Sequence, residues 1–170
     1  MQTLCLIGDG CLSASTALAE RLADSREGHV ATVDHTVGSV REAGDEDPDG
    51  TFRVDSEGRW TGSGTGRSVM ALLDSLASDY EYAVVAGLAH HRLPTVVIGD
   101  ADTPPSAVVV DRAPTADDLD LDSLVDRIED VEPHLTLETL VERIKTSPQA
   151  DRSGAIATFT GRVRAKDSPD

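Results

Sequence analysis

Lysine is almost absent from this 170-residue sequence: two residues, Lys145 and Lys166, stand against 13 arginines. Aromatic side chains make up only 3% of the chain, with a single tryptophan, and cysteine occurs only at positions 5 and 11. Each shortage excludes something. With no further Cys or close His, Cys5 and Cys11 do not complete a metal-ligand set and read as two reduced thiols near the first strand. The longest uninterrupted apolar stretches, such as 83–86 and 107–110, run about four residues, against the roughly 20 that a membrane helix needs. Residues 1–8 lack the basic start of a secretory signal, so the expected setting is cytoplasmic, with no membrane partner.

What the sequence has in excess is acid. Its 31 acidic residues, 21 of them Asp, outweigh 15 basic ones and give a net charge of −16. A surface rich in Asp and poor in Lys stays soluble where salt screens charge, because the Debye length falls to roughly 3 Å at 1 M. The composition is that expected of a high-salt cytoplasm, as in halophilic archaea. Duplex nucleic acid would require a basic stripe, and none is visible, so no nucleic-acid partner is expected. The charge is uneven: residues 1–130 hold 25 acids and 9 bases, whereas 131–170 hold six of each. A composition boundary near Pro133 follows, with domains expected at 1–130 and 131–170.

Apolar periodicity predicts an α/β fold with a mainly parallel sheet flanked by helices. Residues 3–7 form an apolar run ending in Gly8-Asp9-Gly10, and from Ser15 onward Leu18 and Leu22 repeat at helical spacing: strand, tight loop, helix. Further strands are expected at 29–34, 82–85, 96–98 and 107–110, with a helix carrying Val69, Leu72, Leu73 and Leu76. Between Val37 and Gly66 the alternation of Phe52, Val54 and Trp60 suggests a mobile loop with some strand. Two amphipathic helices follow Pro114, one with Leu121, Leu124, Val125 and Ile128, the other with Leu137, Leu140, Val141 and Ile144. Thr136 stands where the N-cap of the second belongs. Residues 155–159 then read as a strand leading into Arg162, Arg164 and Lys166.

The loop after the first strand is the first candidate site. A phosphate loop of pattern GxxxxGK[ST] retains here Gly8 and the final hydroxyl, Ser15, but lacks the second glycine and the lysine. Without that lysine, phosphoryl transfer is not expected. Read instead as GxGxxG, the same stretch gives Gly8, Gly10 and Ser13, with Asp34 at the end of the second strand where a ribose-binding acid would sit, an alternative NAD-type reading. His90 and His91 point opposite ways in an extended segment, which disfavours a joint metal site. Asp117, Asp118, Asp120 and Asp122 lack the glycine and terminal glutamate of a calcium loop and read as a charged helix start, so no metal site is expected.

Residues 6–18, Leu6-Ile7-Gly8-Asp9-Gly10-Cys11-Leu12-Ser13-Ala14-Ser15-Thr16-Ala17-Leu18, resemble the opening of the molybdopterin-guanine dinucleotide biosynthesis protein B family. Ala83-Val84-Val85-Ala86-Gly87-Leu88 and Leu93-Pro94-Thr95-Val96 resemble its later strand, with Ala86 where the family has an acid. The resemblance implies a P-loop-like domain and, as cofactor, GTP with magnesium at Gly8, Gly10, Ser13, Ser15 and Thr16. It supports the fold more than the nucleotide binding, since the loop lysine and the acid are both missing.

Residues 154–164, Gly154-Ala155-Ile156-Ala157-Thr158-Phe159-Thr160-Gly161-Arg162-Val163-Arg164, resemble the opening of the molybdopterin synthase catalytic (large) subunit, patterned G-A-[IV]-x-T-F-x-G-x-V-R. The resemblance implies a truncated α+β segment and a sulfur transferase of molybdenum cofactor biosynthesis. Its partner would be a ubiquitin-like small subunit ending in a thiocarboxylate, its substrate cyclic pyranopterin monophosphate, and its assembly two large with two small subunits, so a homodimer of this chain. Arg162, Val163 and Arg164 match the substrate-binding positions. Independently, positive groups at a strand end suit a phosphate or carboxylate. The family's catalytic lysines have no counterpart here, so the 170-residue form is expected to be a truncated, inactive part of a fusion protein. A guanine-nucleotide or pterin-nucleotide binding adapter is the alternative from another functional class.

Overall fold

The computed structural model describes residues 1–35, 50–64, 66–89, 93–105 and 107–146. The chain divides into two units, Met1–Leu135 and Thr136–Asp170. In chain order the elements are β1 (Gln2–Gly8), α1 (Cys11–Ser25), β2 (Val30–Asp34), β3 (Gly50–Val54), β4 (Trp60–Gly64), α2 (Val69–Leu76), β5 (Tyr82–Ala86), β6 (Pro94–Ile98), β7 (Val108–Ala113), α3 (Leu121–Arg127) and α4 (Leu137–Lys145). None of the described helices is long and apolar enough to cross a membrane.

The first unit is an α/β layer structure, as the alternation of apolar periods predicts. Five strands form one sheet in the order β2-β5-β1-β6-β7, every neighbouring pair parallel. Strands β5 and β6 are buried at every position, because a parallel sheet covered on both faces leaves no residue for solvent. Successive side chains alternate between the faces. Leu4, Leu6, Val84, Val96 and Ile98 meet Leu18 and Leu22 of α1 and Leu124 of α3, whereas Cys5, Val33, Ala83 and Val85 meet Leu73 and Leu76 of α2. The two helical layers are thus set by the period-two pattern of the strands and the i, i+4 pattern of the helices.

Helix α1 starts at Cys11, four residues before the start that Leu18 and Leu22 suggest. Cys11 and Ala14 carry the buried stripe one turn back from Ser15 and Leu18, so residues 11–15 of the phosphate-loop pattern are already helical. Outside the sheet, α1 and α3 are joined by charge: Arg21 pairs with Asp122, and Arg26 reaches Asp126 at 2.9 Å and Glu129 at 3.2 Å. Helix α3 begins on Asp120, whose Oδ1 accepts from the Ser123 N–H at 3.0 Å.

The strand character expected from Phe52, Val54 and Trp60 is a hairpin, β3 antiparallel to β4, with Val54 opposite Trp60 and Phe52 opposite Gly62. Its turn is held by Asp55, whose Oδ1 accepts the N–H groups of Glu57 and Arg59 at 2.9 Å and whose Oδ2 meets Arg59 Nε at 2.7 Å. The Arg59 guanidinium accordingly holds the Asp55 carboxyl below its ordinary value.

The segment leading out of the first unit is tied down at His134. Its N–H donates to the Met1 carbonyl at 2.9 Å, and its ring Nε2 lies 2.8 Å from Asp74 Oδ1 on α2. In the second unit, α4 opens on Thr136, whose Oγ1 accepts from the Thr139 N–H at 3.1 Å. The expected strand 155–159 and the basic run after it lie outside the described residues.

Candidate functional site

In this strand order the chain leaves β1 toward β2 by way of α1 and leaves β6 in the opposite direction, toward β7. Adjacent strands β1 and β6 therefore flank a topological switch point, and ligands of open α/β sheets bind outside the carboxyl ends of the strands at such a point. Gly8-Asp9-Gly10 lies there, and so does Gly99-Asp100 at the end of β6.

Both glycines of the first loop have φ in the left-handed region, +107° at Gly8 and +76° at Gly10. Close packing adds a second requirement. A Cβ on Gly8 would stand 1.9 Å from the Ile98 carbonyl oxygen, and one on Gly10 would stand 2.9 Å from Ala116 Cβ. Neighbouring protein, independent of any ligand, thus accounts for both glycines.

The candidate hydroxyls are brought into the first turns of α1. Ser13 Oγ donates to the Gly10 carbonyl at 2.8 Å, Ser15 Oγ to Leu12 at 2.8 Å, and Thr16 Oγ1 to Leu12 at 3.1 Å. Ser15, the hydroxyl that the phosphate-loop pattern assigns to magnesium, is 2% exposed. The loop between strand and helix is two residues long, Asp9 and Gly10. Gly10 is the helix N-cap and makes no side-chain cap, which leaves the first α1 amides facing the crevice end of the helix.

The dinucleotide alternative loses its geometry. Asp34 does end β2, but β5 lies between β2 and β1, so the acid is two strand spacings, about 10 Å, from the glycine loop instead of beside it. A ribose acid needs β2 next to β1. The sequence pattern GxGxxG with a downstream acid could not distinguish the two orders.

The other singled-out residues take structural places where they are described. Cys5 and Cys11 are free and buried, and burial pushes the Cys5 thiol up to about 12. Asp118 accepts from Thr115 Oγ1 at 2.7 Å, Asp120 caps α3, and Asp122 pairs with Arg21. His90 and His91, and the substrate-binding candidates Arg162, Val163 and Arg164, lie outside the described residues.

Two charged groups escaped the sequence reading. Asp100 and Arg112 line a crevice of about 530 Å³ with Gly99, Ala113 and Pro114 at the carboxyl ends of β6 and β7. The Gly99 N–H donates to the Ala113 carbonyl at 2.8 Å, and the backbone of this segment continues to Ala116 against Gly10. The signal was present in Gly99-Asp100 following an apolar strand. Arg112, however, belongs to a strand that runs three residues beyond its apolar part, and only the fold brings it near. This crevice offers one cation and one carboxylate, Arg112 and Asp100, and its described lining includes no nucleophile or imidazole.

No family model matches the sequence. The chain is 44% identical, over 173 aligned positions, to a protein of Haloferax volcanii described as a probable molybdopterin synthase. A halophilic archaeal source agrees with the salt-adapted composition. The alignment takes in the whole of this chain and 63% of the Haloferax protein, so the chain spans less than two thirds of that relative's length.

Proposed function

We propose that this chain acts in molybdenum cofactor biosynthesis as part of a molybdopterin synthase, transferring sulfur from a thiocarboxylated, ubiquitin-like small subunit to cyclic pyranopterin monophosphate. The observation that carries the reading is the 44% identity to the probable molybdopterin synthase across the entire chain, residues 154–164 included. The large-subunit pattern of residues 154–164 agrees with it.

In this reading Arg162 and Arg164 hold the anionic substrate or the carboxyl-terminal tail of the small subunit, and Val163 sets their spacing. Guanidinium groups suit this task because their planar fork matches phosphate and carboxylate oxygens two at a time. They also stand in the charge-neutral part of a chain whose first 130 residues carry the whole net charge of −16. An anionic substrate is therefore repelled by the first part and accepted by the second. Residues 1–130 then form a P-loop-like domain, and 131–170 open the synthase segment. Molybdopterin formation from cyclic pyranopterin monophosphate and thiocarboxylated small subunit tests the reading. Measured in the whole synthase of which this chain would be part, Arg164→Ala should lower that activity by about 10- to 100-fold, the range for one charge-assisted pair, while unchanged activity refutes the assignment.

A second reading, a guanine-nucleotide or pterin-nucleotide adapter, draws support from the place of Gly8-Asp9-Gly10 at the switch point. Gly8, Gly10, Ser13, Ser15 and Thr16 would serve it, with magnesium at Ser15. It is the weaker of the two, since each of the three hydroxyls donates to a helix carbonyl and no lysine stands in the loop. Calorimetry with GTP and magnesium separates the readings.

A further inference from the structure

At the amino ends of β6 and β7, the end of the sheet opposite Gly99 and Asp100, the first unit holds a second pocket, of about 430 Å³. Its walls are aliphatic. Leu93 enters β6 as a buried member of the core on the α2 side, Met70 of α2 packs against that core, and Val108 and Leu135 stay exposed at 54% and 40%. The volume lies in the range of small-ligand clefts, about 300–1,000 Å³. The described lining has no aromatic ring, so the space suits an extended aliphatic chain and offers nothing for a flat ring to stack on.

Two polar side chains interrupt these walls, and both come from the segment that leads out of the unit. The His134 side chain is 10% exposed, and its Nε2 lies 2.8 Å from Asp74 Oδ1. A carboxylate only accepts, so Nε2 carries the hydrogen, and in the neutral ring Nδ1 is left as an acceptor. Since the His134 N–H also donates to the Met1 carbonyl, the imidazole is held from two sides. Glu132, exposed, supplies the second acceptor. Among the described residues neither His134 Nδ1 nor the Glu132 carboxylate has a partner, and the lining contains no lysine or arginine.

We propose that this pocket binds a small primary amine, whose ammonium group donates to His134 Nδ1 and to the Glu132 carboxylate while its aliphatic chain lies against Met70, Leu93, Val108 and Leu135. An ammonium carries three N–H donors and satisfies both acceptors at once, whereas a hydroxyl supplies one hydrogen and a carboxylate none. The net charge of −16 selects in the same direction, because a field of that sign gathers cations and repels anions. The chain sets the affinity: each methylene it buries strengthens binding by about three- to fourfold.

Methionine makes the test direct, because the sequence holds only two, Met1 and Met70, and Met70 stands in the pocket wall. The full chain, labelled with carbon-13 on its methionine methyl groups, is titrated at pH 8 with pentylamine, 1-pentanol and pentanoate. Molar KCl screens long-range charge, so that contacts inside the pocket select the head group. The Met70 signal is identified by its loss in Met70→Leu, a volume-conserving change. The expected result is a saturable shift of Met70 with pentylamine, binding at least about tenfold weaker for pentanoate, and 1-pentanol between them. In Glu132→Gln the advantage of the amine over the alcohol should narrow by about two- to fivefold, the range of one exposed ion pair. The readout is this ratio, which a general loosening of the fold would not move. Equal affinity for the three head groups would overturn the proposal in favour of apolar adsorption. An undisturbed Met70 signal, or an amine advantage that Glu132→Gln leaves intact, would overturn it as well.

Discussion

Gly8 and the Ile98 carbonyl stand so close that a Cβ on the glycine would fall 1.9 Å from the oxygen, at a backbone φ of +107° that disfavours any side chain. The pair joins the ends of β1 and β6, the two strands that flank the switch point. Gly8→Ala should therefore lower unfolding free energy by about 2–4 kcal/mol, from backbone strain and displaced strand ends together. Chemical denaturation in high salt measures it. A change under about 0.5 kcal/mol, the range of neutral surface substitutions, would show that the approach is relaxed in solution.

The hydroxyls behind that glycine lead to a contrasting expectation. Ser13 donates to the Gly10 carbonyl and Ser15 and Thr16 to that of Leu12, and Ser15 is buried, so a nucleotide finds amides but neither a loop lysine nor the hydroxyl that would hold magnesium. Calorimetry should give no saturable GTP–magnesium heat below about 1 mM, a limit of about −4 kcal/mol. Micromolar binding abolished by Ser15→Ala would favour the adapter reading.

Burial of Cys5 has a pH consequence whose sign is fixed. The folded thiol is raised from 9.0 to about 12, so the unfolded chain loses this proton first as pH rises. Its contribution to stability is complete below pH 9 and disappears as pH climbs from there toward 12. Alkylation by iodoacetamide at pH 8 should leave Cys5 unmodified in the folded protein and modify it in denaturant. Rapid labelling of the folded form would show an open core. Asp55 has the opposite sign: its contribution is present above the ordinary carboxylate value of 3.8 and is lost as pH falls below it.

Salt should stabilise the chain. With −16 net charge and exposed acids such as Asp117, Asp120 and Asp122, self-repulsion opposes compactness until screening shortens its range. The denaturation midpoint should rise between about 0.1 M and about 1 M KCl, as the Debye length falls from about 10 Å to about 3 Å. The Arg21–Asp122 and Arg26–Asp126 pairs act the other way, since screening weakens them, but exposed pairs contribute only about 0–1 kcal/mol each. A midpoint that falls with salt would show that those pairs outweigh the repulsion.

Much of the fold was legible because it depends on local pattern. The apolar runs at Leu4, Leu6, Val84 and Val96 marked the sheet, and the spacing of Leu73 and Leu76 marked α2. Strand order was not legible: β5 inserts between β2 and β1 through contacts that no short window contains, and that insertion separates Asp34 from the glycine loop. The spacing of Leu18 and Leu22 marks α1 only from Ser15 onward, whereas the buried stripe begins a turn earlier, at the small residues Cys11 and Ala14. Asp100 and Arg112 were missed for the same reason as the strand order, since they become neighbours only when β6 and β7 pair. Arg162 and Arg164 rest on a motif in residues 154–164, so their role depends on chemistry in solution.

The most direct test of the account is a calorimetric titration of cyclic pyranopterin monophosphate into the protein and into its Arg164→Ala variant, in multimolar KCl with matched buffers. The account expects saturable binding by the wild-type protein and an affinity lower by about 10- to 100-fold in the variant, about 1.4–2.7 kcal/mol for one charge-assisted contact. Equal affinity in the two proteins, or no binding by the wild-type protein, would contradict it.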